Sequence, residues 1–238
     1  MVLVSGLGSG CASLNPYISD LNFISVAQEN QISSQMVEGI TQEMKVMGDS
    51  AMTRKVDQIG QELVRALPER QFDYQFHVVE EDSPNAFAIP GAKIYVHEGL
   101  IKIATEDELA GVIAHEIGHA YERHPAKGIS RAYGVEYLTS LLLRNKEPGK
   151  LGQMGIQLAK GGILSKYTRD DEREADAIAY SILRKTRYSE DGLLSFLKKL
   201  NQIGGSHPFP FLSSHPPTPE RIERLETMQL QEQMTVRS

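Results

Sequence analysis

The stretch AGVIAHEIGHAYERHP, residues 110–125, constrains this chain more than any other. His115 and His119 stand four apart, with Glu116 directly after the first, inside an apolar run. Positions i and i+4 stack on one face of a helix, so both imidazoles can hold one cation between them. Glu116 lies beside them, placed to reach a water at the cation rather than the cation itself. Zinc takes nitrogen and oxygen ligands and, in catalytic sites, keeps one position open. It lowers the pKa of its water toward ~7, where a carboxylate can take the proton. That is the mechanical content of H-E-x-x-H. The competing reading is a buried helix carrying two satisfied histidines. Burying His, Glu and His together with no ligand is costly, which favours the metal.

The flanking pattern supports a helix there. Thr105 and Glu108 form the S/T-x-x-E pattern of a capping box. Leu109, Val112, Ile113, Ile117 and Ala120 supply the apolar surface, and Pro125 is expected to end the helix. Upstream, apolar residues at helical spacing predict helices over 26–47 and from Asp49 to Leu67. FDYQFHVVEE and AKIYVHEG alternate and predict strands, with SPNAFAIPG extended between them. Downstream, two shorter helices are expected within 133–164, joined at NKEPGK. Further helices are expected over 170–183, over 191–203 and after Thr218–Pro219. Mostly helices, with strands confined to 72–97, make an α+β class. The expected organisation is an N-terminal tether over 1–21 and one domain over 22–238. Within that domain, 22–70 are N-terminal helices, 71–100 a small sheet, 101–185 the metal-site helices, and 186–238 the C-terminal helices with a His-Pro loop.

Two histidines need a third protein ligand. A third histidine at 125 would complete one known arrangement, but Pro125 stands there and His124 is one place early, expected to face elsewhere. A glutamate on a later helix is the other solution, and RDDEREADAIAYSIL offers it. Glu172 and Asp176 are i and i+4, with small Ala175, Ala177 and Ala179 letting that helix approach the first. Glu172 would bind zinc, one ion per chain; Asp176 would orient a histidine N–H or act on substrate. Asp170, Asp171 and Glu174 compete, as residues of a solvated helix N-terminus.

The net charge is −6, with acid and base scattered, which argues against nucleic acid. No run reaches the ~20 apolar residues of a membrane-spanning helix. The one cysteine, Cys11, excludes an internal disulfide. In VLVSGLGSGCASL it resembles the lipid-accepting cysteine of a bacterial lipoprotein signal; a stray thiol on an N-terminal tail is the alternative.

FISVAQENQISSQ, PNAFAIPGAKIYVHEGLI, ELAGVIAHEIGHAYERH, DEREADAIAY and SSHPPTPERI run in order across residues 22–225. Together they resemble the HtpX and CAAX-prenyl-endopeptidase family of gluzincins, in its soluble bacterial envelope branch of BepA-like and LoiP-like members. The resemblance implies a mostly helical zincin-type domain, with His115, His119 and Glu172 as zinc ligands. It also implies Glu116 as general base and Asp176 as the second acid of the site. Asn85, Ala86, Phe87 and Ala88 would form an edge strand beside the cleft, where a substrate peptide could pair. A plain turn at Asn85 is the alternative. The implied substrates are proteins or peptides, and the implied place is the periplasmic side of a bacterial envelope.

Two functions fit. One is an endopeptidase for damaged or misassembled envelope proteins. The other is an assembly factor that holds clients with little hydrolysis; a pure binder has no need of Glu116. His215, on a loop stiffened by Pro216 and Pro217, is expected to reach the open side of the zinc. It would act there as an oxyanion donor or as a fourth ligand that shuts the site, with Arg221 pairing to Asp176 or a neighbouring acid. A surface turn is the competing reading for His215. The glycine-loosened segment 145–165 would cover the cleft or simply pack as helix.

Overall fold

The computed structural model describes residues 24–134, 150–159, 166–204 and 209–235. Cys11 and the tether expected over 1–21 lie outside them, as do residues 145–149 of the expected NKEPGK junction.

Helices α1 (Val26–Glu43) and α2 (Ala51–Arg65) lead into a three-stranded sheet of β1 (Gln75–Val79), β2 (Ala86–Ile89) and β3 (Lys93–His97). Then come α3 (Glu98–Ile103), α4 (Glu106–Tyr121), α5 (His124–Tyr133), α6 (Lys150–Ala159), α7 (Arg169–Leu183), α8 (Gly192–Gly204), α9 (Pro210–Ser214) and α10 (Pro219–Thr235). The strand order is β1-β3-β2, with β1 parallel and β2 antiparallel to β3. This is the expected α+β architecture. The capping box at Thr105 and Glu108 forms, with both reciprocal bonds.

One face of the sheet packs with α2 and α4 on the larger core, through residues such as Phe76, Val78, Ile94 and Ile113. The other face meets α1 and α6 through Phe87, Ile89, Tyr95, Met36 and Met154. Of segment 145–165, residues 150–159 are described and form α6. A Cβ on Gly39 would stand 2.4 Å from the Gly152 backbone, so α6 is a helix packed tightly on α1. It also touches β2.

Several boundaries differ from expectation, each for a local reason. Ser50, not Asp49, caps α2, because its side chain takes the Thr53 N–H. Helix α4 ends at Tyr121, four residues before Pro125, because Arg123 adopts a left-handed φ of 61°. Pro125 instead sits in the first turn of α5, a helix the periodicity did not predict. Short α3 and α9 were not predicted either; six and five residues give too little periodicity.

Candidate metal centre

Helix α4 carries His115, Glu116 and His119, all fully buried. Helix α7 crosses it closely: a Cβ on Gly118 would stand 2.5 Å from the Ala175 carbonyl oxygen. Ala175 and Ala179 form that contact face, whereas Ala177 is exposed. The approach brings Glu172 to the histidines. Its carboxylate oxygens lie 3.5 Å from His115 Nε2 and 3.4 Å from His119 Nε2. The two Nε2 atoms are 3.0 Å apart.

His215 enters from the opposite side, past α9. Its Nδ1 is 2.9 Å from Glu172 Oε1 and 3.1 Å from His115 Nε2. Its Nε2 is 3.3 Å from Glu116 Oε1. His215 is buried, so a surface turn does not describe it. His115, His119, Glu172 and His215 offer four ligand atoms within 4.8 Å of one another.

The donor chemistry fits a cation. His115 Nδ1 lies 3.0 Å from Asp176 Oδ1, so the proton belongs on Nδ1 and the lone pair of Nε2 points into the cluster. Imidazole lone pairs and a carboxylate then converge, with the Arg221 guanidinium at their edge, 3.3 Å from His115 Nε2. Tetrahedral zinc with bonds of ~2.0–2.1 Å holds its ligand atoms about 3.3 Å apart, close to the spacings here. Without a cation, burial and Arg221 oppose a charge on His115, but Asp176 and Glu172 outweigh them and lift its pKa to about 9. Burial, and then the His115 charge, hold His119 well below its ordinary value. A proton would take a cation's place there, and a bound cation would displace it.

Arg221 frames the acids. Its Nε and Nη2 reach the two oxygens of Asp176 at 3.0 and 2.8 Å, and Nη1 lies 2.5 Å from Glu172 Oε2. Burial works against the charge on Glu172, yet Arg221 and then His215 keep its pKa well below the ordinary range. Glu116 is different. Neither oxygen makes a hydrogen bond of normal geometry. Burial raises its pKa against the pull of His215 and His115.

Strand β2 begins at Ala86, with Asn85 just before it. Among the described residues β2 pairs only with β3, so it is an edge, and the Ala88 backbone N–H lies close enough to Glu116 to lower its pKa. Yet Asn85 and all four strand residues are buried, with α5 and α6 beside the strand.

The placement of His124 corrects the sequence reading. On an uninterrupted helix, a residue five places after His119 lies about 140° round the axis. The left-handed Arg123 breaks that geometry and turns His124 back. Its Nδ1 comes 2.9 Å from His119 Nδ1. Burial holds its pKa below the ordinary value despite Asp171 and Glu174.

A family model described as peptidase family M48 matches residues 50–229. The chain belongs to peptidase family M48. Its relatives include the beta-barrel assembly-enhancing protease of Yersinia pestis, 29% identical over 211 residues, or 84% of this chain and 43% of that protein. The mitochondrial metalloendopeptidase OMA1 of Schizosaccharomyces pombe is 30% identical over 156 residues, or 64% of this chain and 46% of its own length. The metalloprotease LoiP of Escherichia coli is 24% identical over 226 residues, covering 92% of this chain and 85% of LoiP. The chain spans less than half the length of the first two.

Two further residues of this M48 site escaped the sequence reading. Tyr167 stacks on His119 with ring centroids 3.8 Å apart. It precedes α7, outside any periodic pattern that could signal it. Arg224 Nη2 lies 2.8 Å from Asp176 Oδ2. Its spacing of three from Arg221 on one helix was a usable signal.

Proposed function

We propose that this M48 chain is a zinc-dependent endopeptidase, with His115, His119 and Glu172 as ligands and Glu116 as general base. The observation that carries this reading is Glu116 itself: a fully buried carboxylate with no hydrogen bond of normal geometry, facing His215 Nε2 at 3.3 Å beside four converging ligand atoms. Such a group costs stability, and a base must be free to take a proton. Bound zinc would supply Lewis acidity at the scissile carbonyl and at the attacking water. Glu116 takes the proton of that water and delivers it to the leaving amine. Asp176 holds His115 by its Nδ1–H, and Arg221 keeps both acids ionised. Substrate peptide pairs with the β2 edge at Asn85–Ala88, which requires α5 and α6 to yield that edge.

His215 lies among the ligand atoms, which favours its role as a fourth ligand that shuts the resting site over that of an oxyanion donor. As a latch, His215→Ala raises activity and chelator sensitivity. As a transition-state donor, the same variant loses on the order of 10²-fold or more. Unchanged activity and chelator sensitivity would remove both roles.

The substrates we propose are damaged or misassembled envelope proteins on the periplasmic side, with Cys11 lipid-anchored. The name of the Yersinia relative, a beta-barrel assembly-enhancing protease, supports an envelope setting. Casein digestion with and without a zinc chelator tests the enzyme. Zinc bound at one ion per chain with no hydrolysis of casein or a peptide library would favour the client-holding assembly factor instead. Mass spectrometry of membrane-extracted protein tests Cys11; an unmodified thiol ends that part.

A further inference from the structure

The two ligand histidines on α4 are held from behind in different ways. His115 Nδ1 meets a carboxylate directly, at Asp176. His119 Nδ1 meets the Nδ1 of another imidazole, His124, at 2.9 Å. His124 Nε2 in turn lies 3.0 Å from Glu174 Oε2. The Asp171 carboxylate is farther, 3.6 Å away, and is bonded to Arg131.

A neutral imidazole has one N–H and one lone pair. With the lone pair of His119 Nε2 turned to the cluster, its proton sits on Nδ1 and must be donated. The lone pair of His124 Nδ1 accepts it. The proton of His124 then sits on Nε2 and is donated to Glu174. One tautomer of each ring satisfies the whole chain of bonds.

The backbone is built to hold this arrangement. Arg123, a residue with a side chain, occupies the left-handed region at φ 61° and ψ 28°. Its guanidinium is clamped by Glu29, itself 1% exposed, at 2.5 Å, and by the Ile24 carbonyl. Helix α1 thereby fixes the turn that swings His124 behind His119.

From this geometry we infer that His124 is a positioning residue: it sets the tautomer and ring orientation of His119, with Glu174 as the terminal acceptor. The inference rests on the zinc reading above. Outer partners of ligand histidines typically carry 10–100-fold of metal affinity.

The test compares His124→Ala, His124→Asn and His124→Gln by zinc affinity, in competition with a chelating dye, and by the visible spectrum of the cobalt-substituted protein. Asparagine places a carbonyl oxygen near the position of Nδ1; glutamine places its amide nearer Nε2. The alanine variant should bind zinc 10–100-fold more weakly and show an altered cobalt spectrum. Asparagine should restore most of the affinity and the spectrum, and glutamine should not. Wild-type affinity and spectrum in the alanine variant would overturn the inference. So would an asparagine variant no better than glutamine, whatever the cause, since both fill similar space. If the unaltered protein binds no zinc, the zinc reading itself fails, which is a separate result.

Discussion

Glu108 and Glu116 lie two turns apart on the same helix, and both are buried. Their surroundings are opposite. Glu108 receives the Thr105 N–H, the Ser195 hydroxyl and the Lys199 ammonium. Burial works against its charge, but Lys199, the Thr105 N–H and Ser195 outweigh it and lower the pKa. Glu116 has no hydrogen bond of normal geometry at either oxygen, and burial raises its pKa. The first carboxylate ties α4 to α8; the second is held ready at a structural cost. Burial of an acid therefore says little about its use, while the completeness of its bonding says much.

The sharpest way to break this contrast is Glu116→Gln. The amide keeps the shape and loses the base, so hydrolysis should fall by about 10²–10⁴-fold with zinc content unchanged. Undiminished proteolysis at equal zinc content would end the assignment. The acids of α7 give a second comparison. Glu172→Ala should lose most of its zinc by elemental analysis, whereas Glu174→Ala should lose far less. The reverse order would mean the wrong glutamate was chosen.

Stability should separate the pair with opposite signs. Glu108→Gln removes charge-assisted bonds and should destabilise by about 1–3 kcal/mol in denaturant titration. Glu116→Gln in the metal-free protein removes a buried carboxylate that lacks a hydrogen bond of normal geometry and should leave stability equal or raised. A drop as large as that of the Glu108 variant would show that Glu116 is structural after all.

The smallest effect is in pH. The folded pKa of Glu108 is below its ordinary value of 4.5. Its contribution is therefore complete above pH 4.5 and is lost as pH falls through the lowered value. The stability gap between the unaltered protein and Glu108→Gln should be widest near neutrality and narrow in acid. A gap independent of pH would mean that packing, not charge, carries it.

Local rules were enough for much of this molecule. The i,i+4 spacing of His115 and His119, the capping box at Thr105, the E-x-x-x-D of Glu172 and Asp176 and the small Ala175 all act through helix geometry, which the sequence encodes directly. The clustering of Glu172 with the histidines followed from them. Tertiary structure decided what helix periodicity cannot express. Arg123 takes a left-handed backbone because Glu29, ninety-four residues away, clamps it. That single dihedral ends α4 early and turns His124 toward His119, when helical spacing pointed it away. Tyr167 reaches His119 from a segment with no pattern of its own, and the burial of the β2 edge depends on where α6 packs. Each of these depends on contacts between residues distant in the chain, and such contacts leave no periodic trace in the sequence.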